Sequence, residues 1–535
     1  MPLHFPSPRR DVAMNRGSAV DALAEHPWMK SRLAGTRVSP PLQYYSAICL
    51  AIILSVFVFS LLTMRAGQPW PDDFAMYVHE AQNIASHTPL GQTGYIYDPY
   101  NPSIGPRAYP PFFPFLLVPG YLWGGVENLT PMKVEVISCF IGLLLVLWLY
   151  TSSGMAPEYR AAMLLIVGFS PVFWRFKDLI VSDLPFALFF YGALATADNV
   201  ANCSSRFSPK NLLKVAALGA LVYMCYGTRT IGIVLIAALA FLAILRWKSA
   251  GPLLLTALGL GMIPILIQMR LSGGEASYAD QLRLGLPAFV LVLLKNAYLY
   301  TWTLATFWDN AHSKIIRDVI FLVISSFALL AYFIHWRKRP RIYEIVLPLY
   351  LMLVILWPNP GGDRYLIPVF PLYVCYALEG IAIVGTWARS FQPRLVATCL
   401  TCLILVCYTA QFAASDFGPF REGVTAPEAA ALFSFVRSST NPNDIFIFRR
   451  PRAFALYTDR SAAVYPEPNH SADFSGYFHT IGATYIVEAP ALDDMAFIEF
   501  VSRTYSADQP VFANSGFRIF RVHDGLEMGG GRLKD

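Results

Sequence analysis

Apolar residues in this chain come in long unbroken blocks separated by short polar stretches until about residue 412, after which short alternating runs take over. The first block, 42–64, is long enough to cross a hydrocarbon core of about 30 Å at about 1.5 Å per residue. Further blocks lie at roughly 131–151, 160–176, 184–201, 212–227, 230–246, 251–270, 315–335, 342–357, 364–386 and 394–412, which makes eleven predicted spans. One more block, Leu286 to Trp308, is apolar but carries Lys295, Asn296 and several Tyr, Trp and Thr residues. As a span it would move the WRKRPR stretch at Trp336–Arg341 to the outside. It is therefore expected to lie in the outer interface, as a helix covering a lipid-entry groove.

Between and beyond the blocks the chain divides into three further parts. Residues 1–42 carry Arg9, Arg10, Arg16, Lys30, Arg32 and Arg37 without the apolar core of a signal peptide, and are expected to form a disordered cytoplasmic tail. The first outer loop, 65–130, contains RAYPPFFPFLLVPGYLW at Arg107–Trp123, whose apolar part is too short and too proline-broken to span. An interfacial helix is expected there. Residues 413–535 alternate at strand period in Asp444–Phe448, Thr484–Glu488 and Phe517–Val522, with a helix predicted at Pro427–Val436. The expected fold is a polytopic α-helical membrane protein of about eleven transmembrane helices, 43–412, followed by a small extracytoplasmic α/β domain. Asp459 and Arg460 in that domain read as ordinary surface charges.

Composition agrees with the pattern. Of 535 residues, 55% are hydrophobic and 14% charged, against about 25% charged in soluble domains. The net charge of +6 comes from alternate loops: Arg206, Lys210 and Lys214; Arg246 and Lys248; Arg337, Lys338, Arg339 and Arg341; Arg389 and Arg394. Such alternation places the amino terminus in the cytoplasm and the terminal domain outside, and it points to a bilayer rather than to nucleic acid as partner. The eight cysteines all precede residue 408, so no disulfide framework is implied for the terminal domain. Cys399 and Cys402 have CxxC spacing but lie in an apolar helix without further ligands. Nucleotide, hydrolase and zinc motifs are missing from the sequence.

Candidate chemistry gathers at the outer ends of the blocks. Asp72 and Asp73, in PWPDDFAMY, follow the first span, and Asp73, Tyr77 and Ala81 share one helical face. Asp178 and Asp183 lie in SPVFWRFKDLIVSDLPFAL, where Asp183 with Pro185 also fits a helix start. Arg229 stands at an outer turn in YGTRTIGI, and Arg364, beside Asp363, opens GGDRYLIPVFPLY. A carboxylate can take a proton from an acceptor hydroxyl, and a guanidinium grips phosphate through two parallel hydrogen bonds. The contrasting class is a transporter or flippase for lipid-linked saccharides, which would carry ionisable residues within spans; only Glu379 lies well inside one.

The order DD-x-x-x-Y, RAYPPFFPFLL, SPVFWRFKDLIVSDLP, TRTIGI, DRYLIPVFPLY resembles the bacterial GT-C membrane glycosyltransferases, the group that includes protein mannosyltransferases and the lipid A aminoarabinose transferase, over residues 43 to 412. The resemblance implies transfer of a hexose or pentose from a polyprenyl-phosphate donor at the outer face of a bacterial inner membrane, usually with inversion. The acceptor would be a glycolipid, a polysaccharide or a protein. It implies an acidic base in the first loop. The usual Asp-Glu pair is here Asp73–Phe74, with the acidic neighbour at Asp72, so both carboxylates are candidates. Arg229 and Arg364 would face the donor phosphate, and Asp183 and Asp178 would support the site or a divalent cation, Mg or Mn.

Overall fold

In a computed structural model, residues 42–70, 72–151, 154–203, 207–271, 286–388, 390–467 and 473–523 are described here. The tail before residue 42 lies outside them. Nine helices among the described residues are long and apolar enough to cross a membrane, from Tyr44–Leu62 to Pro393–Ala413, and three shorter apolar helices are Phe112–Gly124, Thr230–Leu245 and Ile342–Leu356. Several start with proline at the first turn, as at Pro209 and Pro393, where the missing N–H is harmless. Leu54, Leu62, Leu213, Ile263 and Val406 remain exposed on these helices. Such residues on consecutive turns suit lipid as solvent, not water.

The Leu286–Ala305 helix, expected in the outer interface, has the length and composition of a span, and its second half meets the ends of neighbouring helices. Asn296 donates to the carbonyls of Ile355 (3.0 Å) and Trp357 (2.7 Å). Gly361 N–H donates to the Tyr300 hydroxyl (3.1 Å), and Phe307 stacks on Phe370 with ring centroids 4.4 Å apart. Those partners end one helix, form the next turn and start another.

Past the membrane helices lies one six-stranded sheet, ordered β1-β3-β2-β4-β6-β5. Its strands are β1 (Tyr95–Ile96), β2 (Ile445–Ile447), β3 (Ser461–Ala463), β4 (Tyr485–Glu488), β5 (Phe512–Ala513) and β6 (Arg518–Arg521). The first four pair in parallel and the last two antiparallel. The expected strands at Asp444, Thr484 and Phe517 therefore exist, as does the helix, at Pro427–Ser439. Strand β1 was not anticipated: the first loop sends it into the terminal sheet, where Tyr95 and Ile96 pair with Ala462 and Ala463. Arg460 also departs from expectation. It is buried, and its guanidinium donates to the carbonyls of Arg437 and Thr440.

Further ties hold the domain onto the loop. Trp70 packs edge-on against Phe433, Phe448 and Phe517. Phe420 N–H and Val424 N–H donate to Ala66 and Gln68 carbonyls, and the Arg65 guanidinium lies 4.3 Å over the Phe420 ring. At Gly423 the backbone has φ +159°, and a Cβ there would meet the Gln68 carbonyl. Only glycine fits that approach. The effect is to fix the segment holding Asp72 and Asp73 from two sides.

Candidate active site

Asp73 opens the Asp73–Ala85 helix, which is buried through Tyr77 and Ala81 on the Asp73 face and through Phe74 and Val78 beside it. Tyr77 hydrogen-bonds Ser182 (2.9 Å) and stacks on Tyr109 (4.8 Å). Tyr109 is held in turn by its N–H, which donates to Glu80 (2.6 Å). One turn of helix thus places a tyrosine hydroxyl on Asp73: Tyr109 donates to Oδ1 at 2.7 Å.

On the other carboxylate oxygen, Arg364 Nη1 donates to Asp73 Oδ2 at 2.9 Å. The same guanidinium turns its Nε (3.1 Å) and Nη2 (3.0 Å) to Asp183 Oδ2, while Arg229 Nη1 pairs with Asp183 Oδ1. Asp183 is the first helical residue after Ser182 and is buried. Its carboxylate is therefore spent on two arginines that come from distant parts of the chain. Asp73, Arg229 and Arg364 keep 27%, 17% and 26% of their side chains exposed, which leaves the cluster one open side.

The two neighbouring acids face opposite ways. Asp72 accepts from the N–H groups of Arg452 (3.3 Å) and Ala453 (3.1 Å), at the start of the Pro451–Thr458 helix of the terminal domain. A carboxylate is well placed at a helix N-terminus. Burial nevertheless outweighs Arg452, Arg450 and those N–H groups, so the Asp72 carboxyl is raised above its ordinary value. At Asp73 burial also works against ionisation, but Arg364, Arg452 and the Tyr109 hydroxyl outweigh it and hold the carboxyl at about 2. Two adjacent carboxyls with divergent environments have divergent roles. Only Asp73 faces the open side.

Asp178 does not join this group. It is buried against Arg65, which donates through its N–H (2.8 Å) and Nε (3.1 Å), and against Lys177 (3.2 Å). Lys177 and the buried Lys133 in turn donate to the carbonyls of Thr63 and Arg65. Asp178 therefore pins the end of the first helix instead of supporting Asp183. Among the described residues no group of three His, Cys, Asp or Glu side chains is placed to hold a metal ion. Both Asp183 oxygens and both Asp73 oxygens already face guanidinium or hydroxyl donors, so this donor set does not fit a divalent cation.

Arg452 was not singled out from the sequence. It is 1% exposed, lies over the Tyr95 and Tyr109 rings, and donates to the Tyr109 hydroxyl (2.7 Å) and the Pro106 carbonyl (2.7 Å). Its Nη1 is 3.8 Å from Asp73 Oδ1. The sequence signal for it is the run Arg449, Arg450, Pro451, Arg452, a basic cluster opening a short helix.

ArnT from Cupriavidus metallidurans bound to undecaprenyl phosphate superimposes with a TM-score of 0.56, covering 91% of this chain and 99% of that one at 14% identity. The chain has a GT-C-like fold. AglB, the archaeal oligosaccharyltransferase of Archaeoglobus fulgidus, in complex with an inhibitory peptide and a dolichol-phosphate, gives 0.54 over 85% of this chain and 71% of that one, at 12% identity. At these identities the likeness concerns the GT-C fold alone. No protein-family model matches the chain, and no curated protein sequence does.

Proposed function

We propose that the chain is a glycosyltransferase that moves a sugar from a polyprenyl-phosphate donor to an acceptor hydroxyl, at the outer face of a bacterial cytoplasmic membrane. The observation that carries this reading is the shared guanidinium of Arg364, bonded at once to Asp73 and Asp183 on the open side of the cluster. An incoming phosphate diester competes for Arg364 and Arg229, which present forks suited to two of its oxygens. As Arg364 turns to the phosphate, Asp73 loses its strongest counter-charge and gains basicity.

The acceptor hydroxyl then gives its proton to Asp73, its oxygen forms a bond to the anomeric carbon, and the bond from that carbon to the phosphate oxygen breaks. The lipid phosphate leaves with the electron pair, its charge held by Arg229 and Arg364. Asp183 keeps the two guanidiniums oriented. Acceptor classes compatible with this chemistry are a glycolipid, a polysaccharide intermediate and a protein side chain.

The test is purified protein incubated with a panel of radiolabelled polyprenyl-phosphate sugars and membrane extract. Transfer that collapses in Arg364→Ala, in folded protein, supports the reading. Movement of labelled donor across proteoliposomes without transfer to any acceptor overturns it in favour of a flippase.

A further inference from the structure

We propose that Arg452 is a positioning residue for Asp73, acting through the Tyr109 hydroxyl, so that the terminal domain forms part of the transferase site. The inference rests on the transferase reading above. Its geometric basis is a three-member relay across the domain boundary. Arg452 Nη1 donates to the Tyr109 hydroxyl at 2.7 Å, which donates to Asp73 Oδ1 at 2.7 Å. With the Arg452 donor on its oxygen, the tyrosine hydroxyl directs its proton to Asp73.

Arg452 is itself fixed before any substrate arrives. Its guanidinium is clamped between the Tyr95 and Tyr109 rings, at 4.8 and 4.9 Å from their centroids, and Nη2 holds the Pro106 carbonyl. The backbone of the same residue is bonded by Asp72, the immediate neighbour of Asp73. The DD pair therefore meets Arg452 twice, once through the main chain and once through the side chain. A loop merely tethering a separate module would need neither contact.

The relay also explains why Asp73 faces two arginines. Arg364 is shared with Asp183 and lies on the open side, so it is the one drawn to a donor phosphate. Arg452 is closed off and stays. The groups facing Asp73 are Arg364 and Tyr365 from the Gly362–Leu366 turn, Tyr109 from the first loop and Arg452 from the terminal domain, while Asp72 on its own segment turns away to the Arg452 and Ala453 N–H groups. When Arg364 moves, Arg452 and Tyr109 are what keep Asp73 ionised and pointed at the acceptor.

The experiment compares Arg452→Gln, Arg452→Lys, Tyr109→Phe and the Gln/Phe double variant of the full chain. Measured are kcat, donor KM, apparent melting temperature and protease cleavage of the linker at 414–426. The expected result is kcat roughly 10- to 100-fold lower in Arg452→Gln with donor KM within about threefold of wild type, partial recovery in Arg452→Lys, and a double variant little worse than either single. Wild-type kcat in Arg452→Gln overturns the inference. So does a kcat loss in both Arg452 variants that merely tracks release of the linker to protease.

A second readout does not need transfer. The infrared carboxylate band that disappears in Asp73→Asn is followed as pH falls, in wild type and in the Lys and Gln variants. Protonation at higher pH in Arg452→Gln than in wild type, with Arg452→Lys between them, supports the coupling, and coincident titrations overturn it. If the bands separate but wild type transfers no sugar from any donor, the transferase reading fails while the Arg452–Asp73 coupling stands.

Discussion

Replacing Arg364 with lysine isolates what the guanidinium fork contributes. Arg364 reaches Asp183 through Nε and Nη2 and Asp73 through Nη1, all between 2.9 and 3.1 Å in their shortest contacts. A lysine ammonium keeps the charge but is a point donor on an unbranched stem, and it cannot serve both carboxylates and a phosphate in one geometry. At least one charge-assisted hydrogen bond is lost, roughly 1.5–3 kcal/mol in partly buried surroundings. If that bond is one the transition state uses, kcat/KM for the donor falls roughly 10- to 150-fold. The assay is donor-dependent transfer by purified protein, with melting curves in the same detergent to confirm folding. Arg175→Lys serves as the comparison, because Arg175 pairs with Asp363 nearby but is 60% exposed. An exposed pair contributes about 0–1 kcal/mol, so that variant stays within a few-fold of wild type. Arg364→Lys with wild-type kcat/KM would refute the shared-fork reasoning.

Three further outcomes follow from the same geometry. The Asp73 carboxyl, depressed from 3.8 to about 2 in the folded protein, contributes roughly 2 kcal/mol of stability. Because the folded value is the lower one, that contribution is complete above about pH 4 and is lost as pH falls through about 2. The melting-temperature gap between wild type and Asp73→Asn should therefore be constant above pH 4 and close on acidification; a gap unchanged at pH 2 contradicts the assignment. Asp72→Ala removes the acceptor for two N–H groups of the terminal domain and should expose the linker at 414–426 to protease, whereas equal cleavage rates would mean that Asp72 does not hold the domain. Chelation with EDTA should leave transfer rates unchanged, since the site's carboxylates are matched by arginines; restoration of a lost rate by Mg or Mn would reverse that conclusion.

The membrane portion was legible because lipid imposes a simple requirement on sequence. Every span must satisfy its backbone internally and present apolar side chains, so blocks such as 42–64 and 394–412 announce their helices. Asp73, Asp183, Arg229 and Arg364 were legible for a related reason: charges at the ends of apolar blocks need partners, and these four find one another. Asp178 followed the same logic but to a different partner, Arg65, at the end of the first helix. What was hidden depends on long-range backbone pairing. A two-residue strand such as Tyr95–Ile96 has no period to detect, and its pairing with Ala462 and Ala463 joins parts of the chain more than 360 residues apart. Arg452 was hidden with it, because its role exists only once that strand and the Asp72 contact bring the terminal domain onto the loop.

Single-turnover transfer by Asp73→Asn, set beside Asp72→Asn and wild type, tests the central claim most directly. With donor bound and acceptor in excess, the account predicts that Asp73→Asn remains folded and binds polyprenyl phosphate but transfers no sugar, while Asp72→Asn transfers at a reduced rate that rises as its terminal domain is held in place. Wild-type transfer by Asp73→Asn, or abolished transfer in an Asp72→Asn protein whose domain is still docked, would contradict it and move the base to Asp72.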